Sequence, residues 1–356
     1  RQNKQMGSRD RKIASRLVYN YYRLGKAMDS STVQDKLSVA EFLCNDSSNS
    51  FLSYFRPEWE SKLGLPIEDK LKEVRASFPQ FNLEEVFPFL THLSKDINSD
   101  EFLKSLFVQP DLYVRVKRGG EKRFQQVLIK EEIKFKHLGG QAFSFANGTK
   151  LESLPVEKGT FEIQDLTSQQ TGDLFVPQKW DRWWDCCAAS GGKSLLLHDI
   201  QPDIKLLVSD IRESILDNLD ERFRNAGLKG YQKKVLDLSH SPRIQLHDYE
   251  FDGIIVDAPC SGSGTWGRTP EMISQFNAPT IHFFQELQRK IVSNVDAYLK
   301  PGKPLIYITC SVFKEENEEQ LAWMADTFEL RVEEQHILKG YEQKADTMFV
   351  ARLVKK

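Results

Sequence analysis

Two cysteines close apolar, strand-like runs, in Asp257-Ala-Pro-Cys260-Ser-Gly and Thr309-Cys310-Ser, and each is followed at once by loop-forming residues. Open α/β sheets bind ligands in the crevice beyond the carboxyl ends of their parallel strands, so two thiols at two strand ends can meet across one pocket. Such a pair suggests chemistry on a carbon atom, since a thiolate is a strong nucleophile even when only a few per cent ionised.

A second candidate site lies upstream. Ala188-Ala189-Ser190-Gly191-Gly192-Lys193-Ser194 follows a strand and opens a helix. Small residues let a backbone approach a ligand closely, and a helix N-terminus offers free N–H groups. A Walker A loop needs glycine five places before Gly192, where Cys187 stands, and the adjacent glycines do not make a Gly-x-Gly-x-x-Gly fingerprint. A nucleoside cofactor without phosphates, such as S-adenosylmethionine, fits better, with Cys187, Ala188, Ala189, Ser190, Gly191, Gly192 and Lys193 as its cradle. The next two strands end in Val208-Ser209-Asp210 and Val235-Leu236-Asp237. Asp210 is placed to accept from ribose hydroxyls and Asp237 to reach an adenine amino group. Taken singly, each aspartate also suits a helix cap or a turn.

The elements that must position these residues alternate after about residue 160: strands over 182–187, 205–208, 235, 253–256 and 305–308, with helices over 193–200, 213–226 and 280–299. That order implies a mostly parallel sheet with helices on both faces. Residues 1–108 read as a helical domain, opening on the stripe Ile13, Leu17 and Tyr21 with Val18 and Tyr22 alongside. Further helix starts are expected at Asn82-Leu-Glu-Glu85 and at Ser99 before Asp100 and Glu101. Residues 109–159 read as a small α+β subdomain, with strands at Leu112–Val116 and Gln126–Ile129 separated by Gly119-Gly120.

Bulk composition narrows the class. The 356 residues are 40% hydrophobic and 28% charged, an ordinary globular balance. No apolar stretch approaches the roughly 18 residues of a membrane span, and the polar start Arg1-Gln2-Asn3-Lys4 lacks a signal-peptide core, so a cytoplasmic protein is expected. Five cysteines do not make a disulfide framework, and no Cys/His spacing reads as a metal site. The net charge of −2 carries no nucleic-acid signature, but residues 115–136 hold eight Lys or Arg against three Glu. That run suits either a phosphate backbone or a solvated face.

Several motifs together carry a resemblance. Asp185-x-Cys187-Ala-Ala-x-Gly-Gly-Lys193, Asp257-Ala-Pro-Cys260-Ser-Gly-Ser-Gly-Thr265, and Leu299-Lys-Pro-Gly302 followed by Thr309-Cys310-Ser and Glu315-Glu316-Asn317-Glu318 resemble, in that order, the Sun-type RNA cytosine-C5 methyltransferases. Gln164-Asp165-Leu-Thr-Ser168-Gln169 is similar to the motif upstream of that family's core, and Asp346-Thr347-Met348-Phe349 to its last strand. The helical start followed by Leu112–Val116 resembles the bacterial ribosomal-RNA branch with its NusB-like N-terminal domain. The resemblance implies an α/β fold with a Rossmann-like S-adenosylmethionine methyltransferase core over 160–356. It implies 5-methylcytosine formation in RNA, small-subunit ribosomal RNA first and tRNA as the alternative.

It further implies a division of labour. C5 of cytosine is a poor nucleophile, so a thiolate first adds at C6 and turns the ring into an enamine; a base later removes the C5 proton. The residues alone would favour Cys260 for the attack, whereas the resemblance gives attack to Cys310 and product release to Cys260. Asp257 can hydrogen-bond the cytosine amino and N3 edge, and Lys193 can orient the base or approach a phosphate. The target base has to leave its stack at a cost of about a few kcal/mol, which favours unpaired RNA. The partners expected are RNA and S-adenosylmethionine, with no metal or membrane, for a monomer. An RNA-binding protein without turnover and a small-molecule methyltransferase are the rivals; intact Cys310, Cys260 and Asp257 oppose the first, and the basic run and helical domain the second. Three positions depart from the family pattern: Ser190 stands for proline, Gly267-Arg268 for paired arginines, and Lys303 for a second glycine after Gly302. The first and third alter loop stiffness, and the second removes a charge from a loop expected to face RNA.

Overall fold

The computed structural model describes residues 7–356, so the polar start Arg1-Gln2-Asn3-Lys4 lies outside the described residues. By compactness the chain forms two units. One holds the residues up to Leu93, Ile97–Pro110 and Thr265–Ala278; the other holds Ser94–Asp96, Asp111–Gly264 and Pro279–Lys356. From Asp111 on, the 109–159 region lies within the larger unit, and Thr265–Ala278 lies within the helical unit. No helix among the described residues is long and apolar enough to cross a membrane.

The helical unit contains α1 (Ser8–Tyr22), α2 (Val33–Cys44), α3 (Ser50–Phe55), α4 (Ile67–Ser77) and α5 (Ser99–Ser105). Its starts follow side-chain chemistry: Thr32 accepts from Asp35 N, and Asn49 from Phe51 N and Leu52 N. Two expectations shift here. The cap of α5 is Asn98, not Ser99, because the Asn98 carboxamide accepts from Asp100 N and Glu101 N and leaves Ser99 inside the first turn. Asn82 opens only a 3₁₀ turn, Leu83–Val86, where its side chain satisfies Glu84 N alone. On α1 Ile13, Leu17 and Tyr21 are half-buried as the stripe predicts, but Val18 faces solvent.

The larger unit begins with an antiparallel sheet, β1 (Leu112–Val116), β2 (Lys136–Gly139), β3 (Ala142–Phe145) and β4 (Phe161–Ile163), in the order β2-β3-β1-β4. Between β1 and β2 lies α6 (Glu121–Lys130), which corrects the strand expected at Gln126–Ile129. Phe124 and Leu128, four residues apart, are both fully buried, while Gln126 and Ile129 are exposed. A strand would alternate faces, whereas a helix puts the i, i+4 pair on one face.

The remainder is a single seven-stranded sheet flanked by helices. In chain order it comprises α7 (Leu166–Gln170), β5 (Arg182–Asp185), α8 (Gly192–Ile200), β6 (Lys205–Asp210), α9 (Glu213–Ala226), β7 (Tyr231–Val235) and β8 (Gly253–Asp257). Next come α10 (Glu271–Gln275), which belongs to the helical unit, then α11 (Pro279–Val295), β9 (Pro304–Thr309), α12 (Glu318–Thr327), β10 (Leu330–Leu338) and β11 (Met348–Lys355). The long helix expected to Leu299 ends at Val295 and passes into a 3₁₀ turn, Asp296–Tyr298. The strand order is β10-β11-β9-β8-β5-β6-β7; neighbours from β9 to β7 are parallel, and β11 runs antiparallel to both β9 and β10. Every residue of β9 is buried, as is characteristic of a strand covered on both faces. Trp183 and Trp184 on β5 are fully buried, each in a different core cluster. Gly253 makes room for the first, since a Cβ there would stand 2.5 Å from the Trp183 ring.

If α6 packs as described, Leu128→Ala lowers the urea midpoint of the protein by the equivalent of about 2–5 kcal/mol, whereas Gln126→Ala shifts it by no more than about 0.5 kcal/mol.

Candidate functional site

The sheet order reverses between β5 and β8, and the candidate residues gather outside the carboxyl ends of those strands and of β6 and β9. Gly191, at φ +85°, sets the turn from β5 into α8. Ala189 beside it is held at φ +45°, a left-handed conformation that costs a non-glycine residue about 1–3 kcal/mol and marks functional loops. Its N–H donates to Asp210 Oδ2 at 3.0 Å. Ser190 accepts from Arg222 of α9 through both its carbonyl and its Oγ, at 2.8 and 2.7 Å, and Arg222 is anchored to Glu162.

Lys193 joins the two candidate sites. It is buried in the first turn of α8, and its Nζ donates to Asp257 Oδ2 at 3.1 Å and to Ser168 Oγ at 2.9 Å. Asp257 keeps 32% of its side chain exposed, so the carboxylate remains reachable. Beyond it, Cys260 Sγ and Cys310 Sγ lie 3.3 Å apart, both unoxidised. The hydrogen bond to Cys310, and after it burial, pushes the Cys260 thiol well above its usual range. Like charges this close repel, so the pair retains at least one proton, and Cys260 is a site that keeps it.

The acidic candidates separate. Asp210 is buried at the end of β6; burial works against its ionisation, but bonds from the Arg212 side chain and backbone hold it below the usual carboxylate range. Asp237 sits two residues past β7 and spends its carboxylate locally, accepting from Ser239 N and Oγ at 3.0 and 2.6 Å with His240 Nδ1 at 3.0 Å. Cys187 and Ala188 line the strand-to-loop step, where Ala188 N donates to the Ser209 carbonyl.

Reading the sequence for single residues passed over Asp185, Arg212 and Arg222. Asp185 ends β5 with no exposure; Ser194 Oγ donates to its Oδ2 at 2.6 Å, and its Oδ1 has no partner among the described residues. Burial, opposed by Ser194 and Lys193 and reinforced by Asp257 and Asp210, pushes it up to about 7. Its place as the last acid before the small-residue turn was the available signal. Arg222 had none, lying 32 positions from the serine it holds.

These residues fit a nucleoside cofactor without phosphates. Gly192 has open space where a Cβ would stand, and Asp185 offers a buried unpartnered oxygen. The three cations around the loop, Lys193, Arg212 and Arg222, are already held by Asp257, Asp210 and Glu162.

A parallel sheet with an antiparallel strand inserted at one end, a small-residue turn after β5 and a thiol pair beyond β8 and β9 define a Rossmann-like α/β architecture with its candidate residues at the carboxyl ends of the strands. The chain belongs to the 16S rRNA methyltransferase RsmB/F family, whose model matches residues 173–354. Among curated relatives, the ribosomal RNA small subunit methyltransferase B of Enterobacter sp. (strain 638) is 31% identical over 219 residues, 60% of this chain and 51% of that protein. The chain spans about half the length of the first curated relatives it matches. Among solved structures, PH0851 superposes over 99% of this chain and 92% of its own with TM-score 0.74 at 20% identity. NSun6 from Pyrococcus horikoshii, solved with SFG, covers 72% of this chain and 94% of its own with TM-score 0.63 at 18% identity. At these identities the two structures speak for the fold.

The raised Asp185 has a thermodynamic signature. The folded chain holds a proton on it up to about pH 7, whereas the unfolded carboxyl, which titrates at about 3.9, has released its own, so stability from this group falls as pH rises between those values. Asp185→Asn therefore removes up to about 1.4 kcal/mol per pH unit of negative slope from the unfolding free energy between about pH 4.5 and 6.5, measurable by urea titration.

Proposed function

We propose that the protein transfers a methyl group from S-adenosylmethionine to C5 of a cytosine in small-subunit ribosomal RNA. The observation that carries this reading is the pair of free thiols 3.3 Å apart beyond β8 and β9, with the Lys193–Asp257 ion pair at the end of β8, three residues before Cys260. Family membership and the name of the Enterobacter relative support the substrate.

S-adenosylmethionine would be held by the Cys187–Lys193 turn with Asp185 and Asp210, and would supply a methyl group to C5, its sulfonium leaving as a neutral thioether. Asp257, oriented by Lys193, accepts from the cytosine amino group. Cys310, its proton passed to solvent, donates a sulfur electron pair to C6; the C5=C6 pair shifts to C4=C5 and the C4=N3 pair to N3, which takes up a proton and returns it when the ring is restored, and C5 of this enamine is nucleophilic. Once Cys310 is a thioether, the largest cause of Cys260's raised affinity for its proton, the bond to the Cys310 thiol, is gone. Cys260 then loses its proton to solvent and takes the one on C5; the C5–H electrons restore C5=C6 and expel Cys310 as thiolate.

RNA would be gripped in part by the basic segment. Arg115 does not contribute, being buried in an ion pair with Asp199 at 2.6 Å. Lys117, Arg118, Lys122 and Arg123 are exposed, and three of them line a cleft of about 280 Å³ with Phe124 and Pro155. Exposed lysines and arginines around a cleft suit phosphate contacts, whose counterion release makes binding salt-dependent.

Two measurements test the reading. With tritiated cofactor, Cys310→Ala leaves no label at C5, while Cys260→Ala accumulates a denaturation-resistant protein–RNA adduct; label at C5 in the first variant, or no adduct in the second, removes that thiol from its role. Neutralising Arg118, Lys122 and Arg123 together flattens the log affinity against log salt plot by about 2–3 units of slope in filter binding to ribosomal RNA, and an unchanged slope returns the run to a solvated face.

A further inference from the structure

Glu316 carries a buried carboxyl that the reaction above leaves without a task. Its side chain is fully inaccessible, and no cation pairs with it among the described residues. Oε2 accepts from Ser261 N and from Gln288 Nε2, both at 2.9 Å, and Oε1 accepts from Ser311 Oγ at 2.7 Å. Burial pushes the carboxyl up, and the bonds from Ser261, Ser311 and Gln288 work against it. An isolated buried carboxyl is a standing cost, retained only where its hydrogen bonds do something.

The bonds converge on the two thiols. Ser261 follows Cys260, and Gln288 also donates to the Pro259 carbonyl at 3.1 Å, so the peptide groups on both sides of Cys260 are held by Glu316 and its partner. Ser311 follows Cys310, and the Cys310 carbonyl accepts from Gly264 N at 2.9 Å. Between the loops, Ser311 Oγ lies 3.2 Å from both Ser261 Oγ and Ser263 Oγ, and Val312 N donates to Ser263 Oγ at 2.9 Å. Glu316 is itself fixed, since Tyr307 of β9 donates its hydroxyl to the Glu316 carbonyl at 2.9 Å and Gln320 Nε2 orients Gln288 at 2.8 Å. Three donors from three segments converge on one group, and only an acceptor on both of its oxygens serves them all.

We infer that Glu316 is a positioning residue for the thiol pair: by bridging the loop after β8 to the loop after β9 it keeps Cys260 beside Cys310, and so beside the C5 proton that Cys260 removes. The release role rests on the function proposed above; the bridging of the loops does not.

The test uses the full chain, S-adenosylmethionine and unmethylated small-subunit ribosomal RNA transcript, with Cys260→Ala as reference. Losing this buried hydrogen-bond acceptor lowers kcat for Glu316→Ala by roughly 10- to 100-fold with KM for RNA within about twofold, and the denatured sample shows the accumulated adduct of Cys260→Ala. Glu316→Gln, with one acceptor oxygen for three donors, gives an intermediate adduct level and serves if the alanine variant does not fold. A second readout is independent of activity: oxidation by diamide, followed by peptide mapping, gives the rate of Cys260–Cys310 disulfide formation, which falls in the Glu316 variants. A folded variant whose adduct level and disulfide rate both match wild type overturns the inference. If Cys260→Ala itself shows no adduct while the disulfide rate still falls in the Glu316 variants, the release reading fails and the positioning stands.

Discussion

The ion pair between Lys193 and Asp257 is the contact on which the rest of the site depends. An ammonium as buried as that of Lys193 requires a partner, because an unpaired charge in such a place costs several kcal/mol. The partner it has stands at the end of β8, on the other side of the switch point from the turn that ends at Lys193. The pair therefore ties the turn after β5 to the strand end that leads into Cys260. Ala258 N then donates to the Ile308 carbonyl at 2.9 Å, and β9 delivers Cys310 two residues later. The turn proposed to hold the cofactor and the strand end that leads to the thiols share one electrostatic joint.

How much of this could be read from residue order differs from element to element, for physical reasons. Strands β5, β6, β8 and β9 are covered on both faces, so they read as unbroken apolar runs, and α9 carries a clear helical stripe that ends at Gly227. Helix α6 was unreadable from Val127-Leu128-Ile129 alone, since a run of three apolar residues suits either period; Phe124 four residues before Leu128 decides it. Strand β2 is exposed along its whole length and carries no hydrophobic signal. At the site, the loops bearing Cys260 and Cys310 were legible because small and polar residues interrupt apolar runs. That their sulfurs meet, that Asp185 is left with a free oxygen, and that Glu316 serves both loops are consequences of packing between segments distant in the chain.

The three departures from the family pattern each meet a local answer. Proline would stiffen the turn at 190 covalently; Ser190 is stiffened by the two bonds from Arg222. Lys303, in place of a glycine, reaches Asp181 and Asp252 at 3.7 and 3.6 Å. Gly267 stands where a Cβ would come within 3.2 Å of Pro110, and its carbonyl accepts from the buried Arg23 guanidinium at 2.7 Å, so a bulkier residue there would have to displace packing inside the helical unit.

That last contact belongs to a segment with an unusual position in time. Trp266 is almost wholly buried among Phe87, Phe89 and Phe276, so the core of the helical unit is completed by residues that follow β8. During synthesis the amino-terminal helices emerge first, and with them Trp59, yet Trp266 joins their core only once the ribosome has passed residue 278. At about 5–20 residues per second that is a wait of many seconds, during which Phe87 and Phe89 have each other and Phe102 to pack on but neither Trp266 nor Phe276 to cover them.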